Sequence, residues 1–380
     1  MVFAKTDVVI VGGSVSGLST AMYTDGQDIQ CTVFDDKIEI GNPVICAEGV
    51  IDKVLKDHNI PETGEHVATK ITRVVMKSPK GRSIELELDK RCGYILNRDK
   101  FEQLLAKRAK RDGVDIITGV QVVGVKREDG HYKIKYKMKV LDKVVDVETT
   151  SRIVVIASGM RTPIAKQCGW DIKYKPEDVG ACYQYTLEFD EEIPSNEIYI
   201  HWGSKYTPGG YFWVFPKSKH IANVGLGVIS QDINLPKNLD CLIAEHFTGY
   251  HYRRRRAIGG VVPLALPVRP CYRDGAMLVG DAGNYTFALT GGGIGTGMLC
   301  GKYAGETIKE YFDGKNELSG YEIRMRELMK KLTKSYKLKT KIVHNNDVAE
   351  RYFTLAKIVV LLNKIAPDLV QEHAFKNLRY

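Results

Sequence analysis

Two stretches of this chain carry residue types at spacings that do chemistry. One is Gly12-Gly-Ser14-Val-Ser16-Gly17, which follows an apolar run at 7–11 and opens a helical stretch at 18–23. A second apolar run at 31–34 ends on Asp35-Asp36. Strand, glycine turn, helix, strand and acid, in that order, form a dinucleotide-binding fingerprint. Gly12 permits the tight turn, Gly17 lets the helix approach the sheet, and the helix N-terminus offers free N–H groups to a pyrophosphate. Asp35, 23 positions after Gly12, can accept hydrogen bonds from an adenosine ribose. Ser14 replaces the middle glycine and narrows the approach of the phosphates without closing it. The other stretch is Tyr211-Phe-Trp213-Val-Phe215-Pro216, followed after eight residues by Gly225-Leu-Gly227. Side chains alternate faces along a strand, so Tyr211, Trp213 and Phe215 share one face. Proline ends the strand, and Gly225 and Gly227 let a second backbone come close. Three rings in a row suit a long hydrocarbon or a flat ring system; a half-buried core strand has the same pattern.

The elements that position these residues must be found within 380 residues, too many for one ordinary core. Two or three subdomains are expected. A hydrophobic content of 44% with 36 glycines fits an α/β protein with many tight turns. The longest apolar runs, 8–11 and 358–362, fall far short of the roughly 20 residues a membrane span needs. No charged lead, apolar core and cleavage site precede the first strand, so no secretory signal is expected. The eight cysteines stand singly at 31, 46, 92, 168, 182, 241, 271 and 300, which predicts cytoplasmic thiols and no bound metal. Net charge is +9, with four arginines at 253–256 and eight basic residues between Arg324 and Lys341 against Glu327 alone. Such patches suit an anionic membrane surface or an acidic protein, or form a solvated helix face. No recognisable nucleic-acid module accompanies them, so nucleic acid is not expected as a partner.

Downstream, the apolar run 276–279 leads into Gly280-Asp281-Ala-Gly283, and Gly291-Gly-Gly293-Ile294-Gly295 opens another helix. In glutathione-reductase-like flavoproteins, which this pairing resembles, a late Gly-Asp binds the ribityl and pyrophosphate part of FAD. A glycine-rich helix start beyond it faces the flavin. The chain holds one fingerprint of this kind. A reduced nicotinamide therefore binds elsewhere, or electrons arrive from a ferredoxin-like protein.

Four blocks together with the aromatic strand resemble the geranylgeranyl reductase family, in particular its archaeal enzymes that saturate isoprenoid chains on a p-hydroxybenzoate-hydroxylase-like FAD fold. The blocks are the fingerprint, the segment Ile40-Gly41-Asn-Pro43-Val44-Ile-Cys46-Ala47-Glu48-Gly49, the helix start Leu96-Asn97-Arg98-Asp99-x-Phe101, and Gly280-Asp281 with 291–294. The aromatic stretch matches the family's Tyr-x-Trp-x-Phe-Pro, eight residues, Gly-x-Gly signature at every fixed position. By this resemblance FAD contacts fall on Ser16, Asp35, Cys46, Ala47, Gly49, Arg98, Val122, Asp281, Gly293 and Ile294, beside Gly12, Ser14, Gly17 and Gly280 of the two glycine motifs. Arg98 is a planar donor fork suited to phosphate or ribose oxygens. Departures are Ile45 where the family has arginine, Asn284 and Ala288 in the late turn, and Ser158 where related hydroxylases carry an acid. The last departure argues against a hydroxylase-type NADPH reaction.

The resemblance implies reduction of carbon–carbon double bonds in geranylgeranyl or other polyprenyl chains. Such a bond is unpolarised, so a proton must arrive with the hydride. Cys46 is the candidate proton donor and Tyr211 the alternative; Tyr211, Trp213, Phe215, Gly225 and Gly227 are the candidate substrate contacts. His201 and His220 are expected to be structural. Other readings are a flavin monooxygenase or halogenase and a non-redox, lycopene-cyclase-like flavoprotein. The expected organisation is a discontinuous Rossmann-like FAD domain (1–60, 95–170 and 257–310), an antiparallel-sheet substrate domain (61–94 and 171–256) and a helical region (311–380) with Pro367 as a breaker. Within it, 71–76 and 84–88 should form a hairpin, and 132–147 another. A cytoplasmic protein with peripheral contact at the inner face of the membrane is expected, since polyprenyl substrates reside there.

Overall fold

A computed structural model describes residues 6–24, 28–88, 92–141, 143–203, 205–229, 233–343 and 345–365; Pro367 lies outside them. The chain opens with β1 (Val8–Val11), α1 (Val15–Thr24) and β2 (Cys31–Asp35). There follow β3 (Gly49–Ile51), α2 (Asp52–Asp57), β4 (Val67–Ile71), β5 (Arg73–Lys77), β6 (Ser83–Glu87) and β7 (Gly93–Leu96). Next come α3 (Arg98–Arg111), β8 (Asp115–Thr118), β9 (Val120–Glu128), β10 (His131–Val140), β11 (Lys143–Ser151), β12 (Ile153–Ile156) and α4 (Pro163–Gln167). The middle of the chain forms β13 (Val179–Phe189), β14 (Glu197–Trp202), β15 (Tyr211–Pro216), β16 (Ile221–Val228), α5 (Leu235–His246) and β17 (Tyr252–Pro263). It ends with β18 (Tyr272–Arg273), β19 (Ala276–Leu278), α6 (Ile294–Phe312), α7 (Gly320–Ile342) and α8 (Asn346–Ile365).

The first core is a six-stranded sheet in the order β18-β19-β12-β1-β2-β8, parallel except between β18 and β19. β1 and β12 are buried along their whole length, as central strands covered on both faces must be. β9, β10 and β11 make a three-stranded meander over this sheet. The hairpin expected at 132–147 is its β10–β11 pair, and β9 is a strand that the sequence did not announce. α1 lies directly on α6. A Cβ on Gly301 would stand 2.5 Å from the Ser16 carbonyl oxygen, and one on Gly305 2.5 Å from that of Thr20. The glycine face of α6 therefore lets the two helices touch backbone to backbone, and Ser19 Oγ ties them by donating to Met298 O at 2.7 Å.

A seven-stranded sheet, β17-β13-β16-β15-β14-β5-β6, forms the second core. It is antiparallel except where β14 runs parallel to β5. No tight turn joins those two strands, so nothing obliges them to alternate in direction. Its face carrying Phe212, Val214, Val224 and Leu226 packs on Leu239, Leu242 and Ile243 of α5. The hairpin expected to begin at Ile71 begins instead at Arg73. Ile71 pairs with Gly93 in a small sheet, β3-β7-β4, and the Thr72 amide turns away to the Asn196 carbonyl at 2.9 Å. α8 is latched to the β5–β6 turn, where Glu350 accepts from the Lys80 amide at 2.6 Å.

Candidate functional site

A single cavity of about 1710 Å³ runs between the two cores. That exceeds the roughly 300–1,000 Å³ of an ordinary ligand site, and so leaves room for a dinucleotide and a second occupant. One end is built by the first core. Gly12 has φ +111°, and a Cβ there would stand 2.4 Å from the Ala157 carbonyl oxygen, so only glycine carries the chain around this turn. Asp35 is buried and accepts from the Gly13 and Lys37 amides, which fixes the end of β2 beside the turn. Gly280 follows β19 close beside Ser16: a Cβ on it would stand 2.6 Å from Ser16 Oγ. Asp281 accepts from Thr286 Oγ1 at 2.6 Å, and burial pushes its carboxyl above the ordinary range. Gly293 is the N-cap of α6 and brings no capping side chain, and Gly293 to Thr296 line the cavity with amides that α6 does not use. The turn, the second glycine approach and this helix start fit a bound dinucleotide.

Arg98 and Glu102 lie one turn apart on α3. The Arg98 guanidinium donates to Glu102 Oε1 through Nε and Nη2 at 3.1 and 2.7 Å, and Ser14 Oγ donates to the same oxygen at 2.5 Å. Burial pushes the Glu102 carboxyl up, but Arg98, Lys37 and the Ser14 hydroxyl outweigh it, so the acid is held below its usual range. Ser14, in the place of the middle glycine, thus contributes a hydroxyl tied to α3.

The other end is one face of the seven-stranded sheet. Register aligns Tyr211, Gly227, Cys182 and Gly260 in one row and Trp213, Gly225, Gln184 and Ile258 in the next. Large rings on β15 lie over glycines on β16: a Cβ on Gly225 would stand 2.4 Å from Trp213 Cζ2. Trp213 is 5% exposed, and its Nε1 donates to Gln184 Oε1 at 3.0 Å. Trp202 stacks on Tyr211 with ring centroids 5.4 Å apart; the Tyr211–Trp213 and Trp213–Phe215 spacings are 5.7 and 6.5 Å. Val74, Met76, Ile198 and Ile200 of β5 and β14 prolong this wall. Tyr211 Oη donates to Thr290 O at 2.5 Å, and burial raises its phenol well above the usual value. Burial likewise pushes the Cys182 thiol up to about 12.

Between the two ends lies the segment from Cys46 to Gly49. Cys46 Sγ accepts the Glu48 amide at 3.2 Å; burial raises its thiol and Arg98 opposes the rise. Glu48 is 4% exposed and has φ +75°. Its Oε1 caps α3 by accepting the Arg98 amide at 2.9 Å, while Oε2 accepts Lys217 Nζ and Asn223 Nδ2, both at 2.6 Å. Gln184 Nε2 donates to Cys46 O at 3.3 Å and so joins this segment to the aromatic wall.

Of the residues singled out in the sequence, Gly12, Ser14, Ser16, Asp35, Cys46, Ala47, Gly49, Arg98, Val122, Tyr211, Trp213, Phe215, Gly227, Gly280, Asp281, Gly293 and Ile294 all line this one cavity. Gly17 and Gly225 do not; the first lies under the Gly12 turn and the second behind Trp213. Glu48, Cys182, Gln184 and Trp202 also line it and had escaped notice, as had Glu102, which is bonded to Arg98 and Ser14 of the lining. Glu102 could have been found four residues after Arg98 on the same helix face, where an opposite charge pairs. Cys182 and Gln184 show only through strand register. His220 is exposed and hydrogen-bonds Phe189 O through Nδ1; His201 sits on β14, its imidazole pKa lowered by burial and by Lys77.

The basic runs are partly spent within the fold. Arg253 and Arg255 both pair with Glu188 from β13, and Arg254 pairs with Asp240 at 2.8 Å. Arg324 pairs with Glu306 and Glu310, and Lys339, 2% exposed, donates to the Glu177 and Leu264 carbonyls. Arg326, Lys334, Lys337 and Lys341 stand exposed along α7. Among the described residues no group of three or more His, Cys, Asp or Glu side chains is arranged to hold a metal, and no helix is long and apolar enough to cross a membrane.

The model of the geranylgeranyl reductase catalytic domain matches residues 178–262, which span β13 to β17. Digeranylgeranylglycerophospholipid reductase 2 of Methanothermobacter thermautotrophicus is 32% identical over 343 residues, 88% of this chain and 87% of that protein. The digeranylgeranylglycerophospholipid reductase of Methanoculleus marisnigri is 30% identical over 98% of this chain and 93% of its own. The crystal structure of a geranylgeranyl bacteriochlorophyll reductase-like protein from Thermoplasma acidophilum superposes over the full length of both chains with a TM-score of 0.86 at 24% identity. A p-nitrophenol 4-monooxygenase from Pseudomonas putida shares the fold at a TM-score of 0.76 and 14% identity, over 98% of each chain. The chain is an oxidoreductase that belongs to the geranylgeranyl reductase family.

Proposed function

We propose that this protein binds FAD at the glycine-rich end of its cavity and saturates carbon–carbon double bonds of geranylgeranyl or related polyprenyl chains on a membrane lipid laid along the aromatic wall. The observation that carries this reading is the continuity of the cavity: the Gly12 turn, Cys46 and the Tyr211–Trp213–Phe215 wall all face one space. Two relatives named as reductases of digeranylgeranylglycerophospholipid support the substrate class.

When bound, FAD accepts a hydride and returns it to a substrate carbon. The chain's own residues do the rest. Gly12, Ser16, Gly280 and the α6 N-terminus hold the cofactor by backbone approach and free amides. Tyr211, Trp213 and Phe215 exclude water and align the chain, and alignment is where much of the barrier to reducing an unpolarised bond is removed. Cys46 Sγ, at the boundary of the two ends, holds the proton for the second carbon, a contribution of about 10²- to 10⁴-fold. Tyr211 is the weaker candidate for that role, because its hydroxyl is already committed to the Thr290 carbonyl. One hydride and one proton saturate each bond.

The same reading assigns 1–60, 95–170 and 257–310 to cofactor binding, 61–94 and 171–256 to substrate binding, and 311–380 to a helical region. The exposed cations of α7 support peripheral contact with an anionic membrane at its cytoplasmic face, at about 1 kcal/mol per Lys or Arg near the surface. A ferredoxin-like protein or a reduced nicotinamide supplies electrons. The test is direct. Protein reduced with dithionite without oxygen is mixed with geranylgeranyl phospholipid, and flavin absorbance and lipid mass are followed together. Reoxidation with a gain of two hydrogens per bond is expected. Flavin that stays reduced, or a hydroperoxide that forms rapidly on adding oxygen and hydroxylates a substrate, overturns the proposal.

A further inference from the structure

A second, polar crevice of about 630 Å³ lies on the other side of the Cys46 segment. Cys46, Glu48, Gln184 and Ile258 line both spaces, so this segment is a partition rather than the floor of one pocket. The crevice reaches the surface among Glu39, Lys100 and Arg256, which are exposed, and its inner end is Glu48 with Lys217 and Asn223. We propose that this crevice is the proton-uptake path of the reaction and that Glu48 and Lys217 are the residues that position and resupply the Cys46 thiol from it. The proposal rests on the reading of Cys46 as proton donor.

The chemistry requires such a path. For each bond reduced, a hydride carries two electrons and one proton to one carbon, and the S–H bond of Cys46 breaks to supply the proton of the other. The sulfur keeps the electron pair of that bond as a thiolate. A thiolate facing an apolar wall is costly and must be reprotonated before the next bond is reduced. Water admitted past Trp213 would spoil the dry site, so the proton has to enter from the polar side. Solvent in the crevice, which Cys46 itself lines, is then the net proton source, and Lys217 acts by holding the Glu48 carboxylate in place at its inner end.

The geometry is built for this. Glu48 is a non-glycine residue with φ +75°, a conformation kept only where surroundings over-determine it. Its carboxylate is held by the first amide of α3, by Lys217 after β15 and by Asn223 on β16. Those three anchors turn its own amide onto Cys46 Sγ at 3.2 Å. The charged and titratable groups acting on Cys46 are Arg98 and Glu102 from α3, Glu48 from its own segment, and Cys182 and Tyr211 from the sheet. Lys217 acts through Glu48.

The experiment measures the pH midpoint for iodoacetamide alkylation of Cys46 in FAD-loaded protein, read by peptide mass spectrometry, with flavin absorbance as the check on folding. Glu48→Gln removes an anion and should lower the midpoint by about one unit. Lys217→Met leaves that anion unneutralised and should raise it by about as much, with Lys217→Arg restoring the original value. A packing role predicts shifts of one sign or none, and either result overturns the proposal. Lys217→Met should also slow multiple turnover about tenfold with a larger solvent isotope effect, while sparing the first bond reduced. Cys46→Ala separates the two claims. If it reduces lipid at the normal rate, the reading of Cys46 itself fails. If it abolishes reduction while the opposed shifts are missing, only the proton path fails.

Discussion

The glycine-rich end of the cavity is made mainly of main chain, whereas the aromatic end is made of side chains standing on one sheet face. At the first end, Gly12, Gly301 and Gly305 bring backbones into contact, Gly280 makes room for the Ser16 side chain, and the α6 N-terminus points unused amides at the space. At the second, Trp202, Tyr211, Trp213 and Phe215 present a run of rings over glycines. Backbone surfaces recognise what all dinucleotides share, the pyrophosphate and ribose. Side-chain surfaces recognise shape, and shape distinguishes one hydrocarbon from another. The two ends should therefore fail differently when altered: the first by losing cofactor and fold, the second by losing turnover.

The largest effect is expected at the α1–α6 contact. Gly301→Leu would put Cβ 2.5 Å from the Ser16 carbonyl oxygen, with the rest of the side chain inside α1. Loss of more than about 4 kcal/mol is expected, seen in urea denaturation and as protein purified without flavin. A variant that keeps flavin and a wild-type midpoint would show that this end is not held by backbone contact.

At the aromatic end, the proposed role of the Trp213 ring in aligning substrate predicts that Trp213→Ala cuts lipid turnover about 100-fold while flavin retention changes less than about twofold. Trp213→Phe should recover part of the rate. Equal loss of flavin and turnover in Trp213→Ala would return β15 to a purely structural role.

A smaller effect is expected where the comparison blurs, at the Arg98–Glu102 pair, a side-chain feature inside the backbone-built end. On the proposed reading, in which the cofactor's diphosphate lies near Arg98, Glu102→Gln removes a buried negative charge and frees Arg98 and Ser14 to contact that group. Flavin affinity, measured by equilibrium dialysis, should tighten about tenfold. The flavin-free protein should lose about 3 kcal/mol, since Arg98 is left buried without its partner. Weaker flavin binding would mean that Glu102 serves chiefly to aim Arg98.

The two ends also differ in how plainly the sequence announced them. Gly12 to Gly17 and Gly280-Asp281 were legible because their work is done within a few residues of chain. The alternation of Tyr211, Trp213 and Phe215 was equally local, and their shared face followed from strand geometry alone. What escaped depends on contacts across the chain: Glu48 meets Lys217 and Asn223 across separations of 169 and 175 residues. Cys182 and Gln184 join the wall only because β13 takes one register and not its neighbour, which would turn both to the α5 face. The run at 253–256 looked like a free cationic patch, yet Glu188, on the strand paired with β17, meets two of its arginines.

The smallest predicted effect tests which end softens first in acid. His58, at the C-terminal cap of α2 in the glycine-rich end, is 3% exposed and bonded through Nδ1 to Tyr23 Oη at 2.9 Å. Burial, helped by Lys302, lowers its pKa to about 4. An unfolded histidine titrates near 6.5, so between about 4 and 6.5 the unfolded chain binds the extra proton. Stability should therefore rise with pH across that window, by about 1 kcal/mol from pH 5.5 to 7. Urea midpoints at those two values measure it, and His58→Gln should remove most of the difference. His201 is the counterpart at the aromatic end, half-buried on β14 with its pKa lowered by burial and by Lys77. A slope that survives His58→Gln but vanishes in His201→Gln would reverse the order, making the side-chain-built end the one that acid loosens first.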